Sequence, residues 1–118
     1  MILIGRKALA CVVLLSSFTC STGTMAEVAV PPLKAHVTDL TGTLSPAQIA
    51  QLDQKLAAFE AKKGSQIAVL VVPTTSPETI EQYSIRVTDA WKLGRKGVDD
   101  GVLLLIAKED RSVRLEVG

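Results

Sequence analysis

Two stretches of this chain leave little choice of architecture: "IAVLVV", Ile67 to Val72, and "GVLLLIA", Gly101 to Ala107, contain no polar side chain. A strand with one wet face alternates apolar and polar residues. A strand apolar at every position needs cover on both faces, which is the condition of a central strand in an α/β sheet. The chain between Val72 and Gly101 holds one helical segment and two loops, enough to carry it across to a parallel neighbour. After "KEDR" turns the chain, "SVRLEV" alternates. Val113, Leu115 and Val117 point one way, and Ser112, Arg114 and Glu116 the other. That pattern predicts an antiparallel strand with one face less deeply covered.

The segments between the strands carry helix signals. Ser45, Pro46 and Gln48 supply an N-cap, a first-turn proline and the partner of a capping box. Ile49, Leu52, Leu56 and Phe59 recur at helical spacing. Lys62 and Lys63 suit the negative end of the helix dipole, and Gly64 suits a left-handed close, so a helix is expected over 46–63. A second helix is expected after Ser76 as cap and Pro77 in the first turn. Ile80, Tyr83, Val87 and Trp91 form its buried stripe, and Gly94 closes it. The order is helix, strand, helix, strand, strand, which predicts an α/β fold with a mixed sheet.

The N-terminus reads differently. Arg6 and Lys7 precede the apolar run "ALACVVLLSSF", and small residues follow. This is the pattern of a secretory signal peptide, with cleavage expected after Ala26, and the run is too short for a spanning helix. A retained N-terminal anchor and a lipid on Cys20 are the alternatives, although "SFT" before Cys20 suits lipid attachment poorly. The expected organisation is therefore a leader over 1–26, an extended lead-in over 27–44 and one α/β domain over 45–118. Both cysteines, Cys11 and Cys20, fall in the leader, so the mature chain has no disulfide to lean on. Loss of the leader removes two basic groups and no acidic ones, taking the net charge from +1 to −1. No basic stripe with interleaved aromatics remains, which argues against nucleic acid as a partner.

Catalytic signatures are sparse. GxGxxG, a phosphate loop ending in Gly-Lys-Ser, HExxH and GxSxG are all missing from the sequence, and His36 is the only histidine. The acids are more suggestive. Asp39 precedes Gly42 in the lead-in, and Asp99 and Asp100 stand between glycines ahead of the second apolar strand. Clustered carboxylates and glycine-flanked carbonyls can ligate a hard cation such as Ca²⁺, and they equally shape turns through side-chain to backbone bonds. The spacing leaves both readings open.

Three phrases in order, "VTDLTGTLSPAQIAQLDQKLAAFEAKKGSQIAVLVVPT", "ETIEQYSIRVTDAWKLGRKGVDDGVLLLIA" and "DRSVRLEVG", resemble the TPM-domain, or TPM phosphatase, family. Asp39 with Leu44, Trp91 before Gly94, Lys96-Gly97 and Asp100-Gly101 carry the likeness. The resemblance implies an α/β/α sandwich in an exported protein, membrane-associated in its full-length form. It implies an accessory or binding role beside membrane-associated proteins, with Ca²⁺ as the cofactor and Asp39, Asp99 and Asp100 at the positions that could ligate it. The enzymatic alternative it implies is a weak, metal-assisted acid phosphatase acting on phosphate monoesters, with no catalytic nucleophile assigned. Members of the family usually continue past the equivalent of Gly118 with further helices. The expectation is thus a domain truncated at its C-terminus, with exposed strand faces and an unpaired edge.

Overall fold

The computed structural model describes residues 26–94 and 100–117. The element order is β1 (Val37–Asp39), α1 (Pro46–Lys63), β2 (Gln66–Val72), α2 (Ile80–Trp91), β3 (Gly101–Ala107) and β4 (Ser112–Val117). The four strands form one sheet in the order β1-β2-β3-β4. β1, β2 and β3 are parallel, and β4 returns antiparallel to β3. The two apolar runs lie side by side over their full length, from Gln66 against Gly101 to Val72 against Ala107. The expected mixed α/β sheet is present.

The helices cover opposite faces. Tyr83, Val87 and Trp91 of α2, with Leu93, pack on Ala68, Leu70, Val72, Leu103, Leu105 and Ala107, all buried. On the other face Ile49, Leu52 and Leu56 of α1 pack on Val37, Val69 and Val71. β2 is covered on both faces from Ala68 onward, as a fully apolar strand requires. β3 is not. Leu103 and Leu105 are sealed under α2, whereas Val102, Leu104 and Ile106 are only partly buried, Leu104 and Ile106 at the margin of the α1 cluster.

Three local readings change. The lead-in contains a strand: Val37–Asp39 pairs with Val69–Val71. Three residues are too few to show a period of two, so only pairing with a distant segment defines it. α1 begins as expected, with the reciprocal Ser45–Gln48 box and Gly64 closing at φ 83°. α2 starts later than its Ser76 signal. Thr79 is the N-cap, exchanging bonds with Gln82, and Lys92 closes the helix in the left-handed region. Thr79 wins because the residue three positions on, Gln82, returns its hydrogen bond, which Thr79 does not do for Ser76. Finally, β4 turns its apolar side outward: Val113, Leu115 and Val117 are 66%, 60% and 63% exposed. Its polar side faces α2, where Ser84 Oγ donates to Glu116 Oε1 at 3.1 Å and Arg114 pairs with the same carboxylate.

The lead-in is strapped to the α2 face. Tyr83 donates its hydroxyl to Ala29 O (3.0 Å), Trp91 Nε1 donates to Pro31 O (2.7 Å), and Arg86 Nη2 donates to Val28 O (2.7 Å). Burial pushes the Tyr83 hydroxyl up from its ordinary value, which keeps it a donor. Both aromatics are therefore core residues whose polar tips find backbone acceptors, as packing on the helical stripe predicts.

Candidate functional site

A parallel sheet has two chemically distinct edges, and the candidate acids fall on both. Asp39 ends β1 at the carboxyl edge. Its Oδ1 accepts from Thr41 N (2.8 Å) and Thr41 Oγ1 (2.6 Å), and its Oδ2 accepts from Leu44 N (2.8 Å). Burial works to raise its pKa, but the bonds from Thr41, Leu44 and Thr43 outweigh it and hold the carboxyl below the ordinary aspartate value. Both oxygens are thus committed to folding "DLTGTL" into the start of α1, a turn-forming use of aspartate.

Asp100 precedes β3 at the amino edge. Its carbonyl accepts from Gln66 N at 3.2 Å, while the Gln66 side chain accepts from Gly94 N at 2.9 Å. One residue at the start of β2 therefore holds both legs of the 94–101 loop. The legs touch. A Cβ on Gly101 would lie 2.4 Å from the Leu93 carbonyl carbon and 2.5 Å from Gly94 N, and Gly94 itself has φ +95°. Gly94 and Gly101 are needed for this close approach. Asp99, Lys96 and Gly97 lie outside the described residues.

The register fixes the separation of the acids. Asp39 is level with Val71, and Val71 with Ile106. Asp100 comes about six residues before Ile106, or about 20 Å down the strand. Ca²⁺ ligands sit at about 2.3–2.6 Å from the ion, so Asp39 and Asp100 do not share a cation. Among the described residues no group of three or more His, Cys, Asp or Glu side chains is placed to hold a metal.

Two polar constellations were not singled out from the sequence. At the amino edge His36 bridges to α1: Nε2 lies 2.7 Å from Glu60 Oε1 and Nδ1 lies 3.6 Å from Asp53 Oδ1. The His36 backbone N–H also donates to Asp53 Oδ1 at 2.6 Å. The group borders a recess of about 460 Å³. Asp53 and Glu60 are two helical turns apart on one face, a spacing visible in the sequence once α1 is assigned. At the carboxyl edge Leu40, Thr41, Pro73, Lys108, Glu109 and Arg111 line an open recess of about 670 Å³. Asp110 closes the adjoining turn by accepting from Thr74 Oγ1 and Thr75 N.

The largest anomaly is apolar. Beside α1, Leu44, Leu52, Leu56, Leu104 and Ile106 line a groove of about 420 Å³ with no polar wall exposed. It continues onto Val113, Leu115 and Val117, which stand across from Ile106, Leu104 and Val102 on β3. Val113, Leu115 and Val117 together form one contiguous exposed apolar stripe, the kind of surface feature that is often a contact site. No described helix is long and apolar enough to cross a membrane.

Comparison with known proteins agrees with this architecture. A family model for the TPM domain matches residues 37–118. The solution structure of the N-terminal domain of a protein from P. gingivalis is similar at TM-score 0.65 and 28% identity, over 71% of this chain and 54% of that one. The N-terminal domain of the cg2496 protein from Corynebacterium glutamicum is similar in fold at TM-score 0.60 and 20% identity, over 80% of this chain and 62% of that one. The matched region thus spans less than two thirds of either solved domain. No curated protein matches the chain significantly. With a family match running from β1 to the final residue, over a sheet whose two apolar central strands lie in register, the chain belongs to the TPM-domain family.

Proposed function

We propose that this TPM domain is an exported binding module, accessory to membrane-associated proteins at the periplasmic face of the membrane. The observation that carries the reading is the exposed apolar stripe of β4 beside the partly buried face of β3, continuous with the groove beside α1. Burying such a surface against a partner releases water from it, the main favourable term in protein association. The acids support the same side of the choice: Asp39 is spent on its own loop, and Asp100 lies at the other end of the sheet. The leader pattern, Arg6-Lys7 ahead of an apolar run, supplies the export half of the proposal.

Two measurements test it. Mass analysis of the chain made in a bacterial host should find a product beginning at Glu27 in the periplasm; an unprocessed cytoplasmic chain would refute export. A photo-reactive amino acid at Val113 should give adducts with proteins other than this chain, and one at Gln51 on the exposed side of α1 should not. Equal labelling at the two positions, or none, refutes the docking face.

The enzymatic alternative keeps one specific observation in its favour. Lys108, Arg111 and Thr41 border the carboxyl-edge recess beside the single acid Glu109, at the edge where open α/β sheets gather ligands. In that reading the cations hold a phosphate monoester, and Ca²⁺ would have to enter with donors from that edge alone. Turnover of a chromogenic phosphate ester that disappears in a Lys108→Ala, Arg111→Ala double variant would move the conclusion to this reading.

A further inference from the structure

β4 ends the sheet, and its outer edge has no strand partner among the described residues. Edge strands commonly carry proline, lysine or a bulge that discourages pairing. Ser112–Val117 has no proline, lysine or bulge, its two charges Arg114 and Glu116 are of opposite sign and so do not repel a copy, and it pairs with β3 in unbroken register from Val117 to Ser112. Its sequence is also complementary to itself. Set antiparallel to a copy of itself and centred on Leu115, it places Leu115 against Leu115, Val113 against Val117, and Arg114 against Glu116. The apolar pairs fall on the open face and the ion pairs on the α2 face, where Arg114 and Glu116 already meet at 3.1 Å within one strand. Cross-strand pairs of these kinds are the ones that stabilise sheets, and like charges directly opposite destabilise them.

We propose that β4 pairs antiparallel with β4 of a second copy about a two-fold axis at Leu115, joining two sheets into one of eight strands. The opposite edge of each sheet is the three-residue β1, too short to template a further copy, so the assembly closes at two. The axis runs perpendicular to the sheet, which keeps both apolar stripes on one side. The dimer therefore presents a doubled surface made of Val113, Leu115 and Val117 from each copy. This inference extends the docking reading above and rests on a different feature, the backbone edge rather than the apolar face.

Sedimentation equilibrium on the chain between about 1 and 100 µM tests the pairing, because a single strand-to-strand interface sits at the small end of specific interfaces and should associate at micromolar concentration. A monomer–dimer equilibrium is expected. Leu115→Lys sets two ammonium groups together at the axis and should weaken dimerisation at least about tenfold. Arg114→Glu should weaken it as well, and the swap Arg114→Glu, Glu116→Arg should restore it, which mere apolar stickiness would not do. Circular dichroism checks each fold; if Arg114→Glu is unfolded, the solvent-exposed Leu115→Lys decides alone. A monomer at every concentration, growth past the dimer, or indifference to Leu115→Lys overturns the proposal. A monomer that still gives adducts with other proteins at Val113 overturns the pairing and leaves the docking face standing; a dimer without such adducts does the reverse.

Discussion

Replacing Asp39 by asparagine separates a structural aspartate from a metal ligand. The carboxylate accepts three bonds, from Thr41 N, Thr41 Oγ1 and Leu44 N. An asparagine carbonyl can keep the two from Thr41, now as neutral bonds, but its amide cannot accept from Leu44 N. Bonds to a charged group contribute about 1.5–3 kcal/mol and neutral ones about 0.5–1.5. At face value the losses sum to about 4 kcal/mol; Asp39 is only partly buried, and solvent screening halves this to about 2 kcal/mol, which for a domain of this size lowers Tm by about 10 °C. Urea unfolding followed by the fluorescence of Trp91, the only tryptophan, measures it. The pH dependence has a definite sign. The folded carboxyl titrates below its ordinary value, so its contribution is full above the unfolded pKa of about 3.9 and disappears as pH falls through the lower folded value. The gap between wild type and Asp39→Asn should be flat from about pH 7 to 5 and close below about pH 4. It should also be the same in EDTA and in millimolar Ca²⁺, since a ligand that binds the native state through Asp39 would stabilise only the wild type. A deficit under about 0.5 kcal/mol, or one that appears only with Ca²⁺, refutes the structural role.

Other outcomes follow from the packing. Gly101→Ala forces a Cβ to within 2.4 Å of the Leu93 backbone and should cost about 3 kcal/mol or more in denaturant unfolding. Tyr83→Phe removes the donor to Ala29 O and should cost about 1 kcal/mol by the same measurement. It should also speed proteolysis in the Val28–Leu33 strap. On β3 and β4 two leucines should differ sharply. Leu105→Ala empties a fully buried site and should cost about 2–5 kcal/mol, whereas Leu115→Thr, on the exposed stripe, should change stability by less than about 0.5 kcal/mol.

Much of the scaffold was readable in one dimension because its signals are local. Ser45, Pro46, Gln48 and Gly64 specify both ends of α1 through groups no more than one turn away. The apolar runs at Ile67 and Gly101 declare buried strands without reference to any partner. The site was less readable. The residues around Asp39 allowed both a cation ligand and a turn former, and only the folded loop shows its oxygens taken by Thr41 and Leu44. The distance from Asp39 to Asp100 depends on the register of three strands, which only pairing sets. Similarly, "VTD" becomes β1 because Val69–Val71 lies beside it, and His36 finds Glu60 only once α1 has folded back over the strand.

The alternation in "SVRLEV" determined that β4 would have an apolar and a polar side, because side chains in a strand point to opposite faces whatever the strand packs on. Which side met the interior was not in that pattern. α2 lies over the polar side, where Ser84 and Arg114 satisfy Glu116, and α1 stops short of the apolar one. Local sequence determines what a segment can form from its own propensities and caps. Which face is buried, and which acids share an edge, follow from contacts between segments far apart in the chain, and those exist only in the folded sheet.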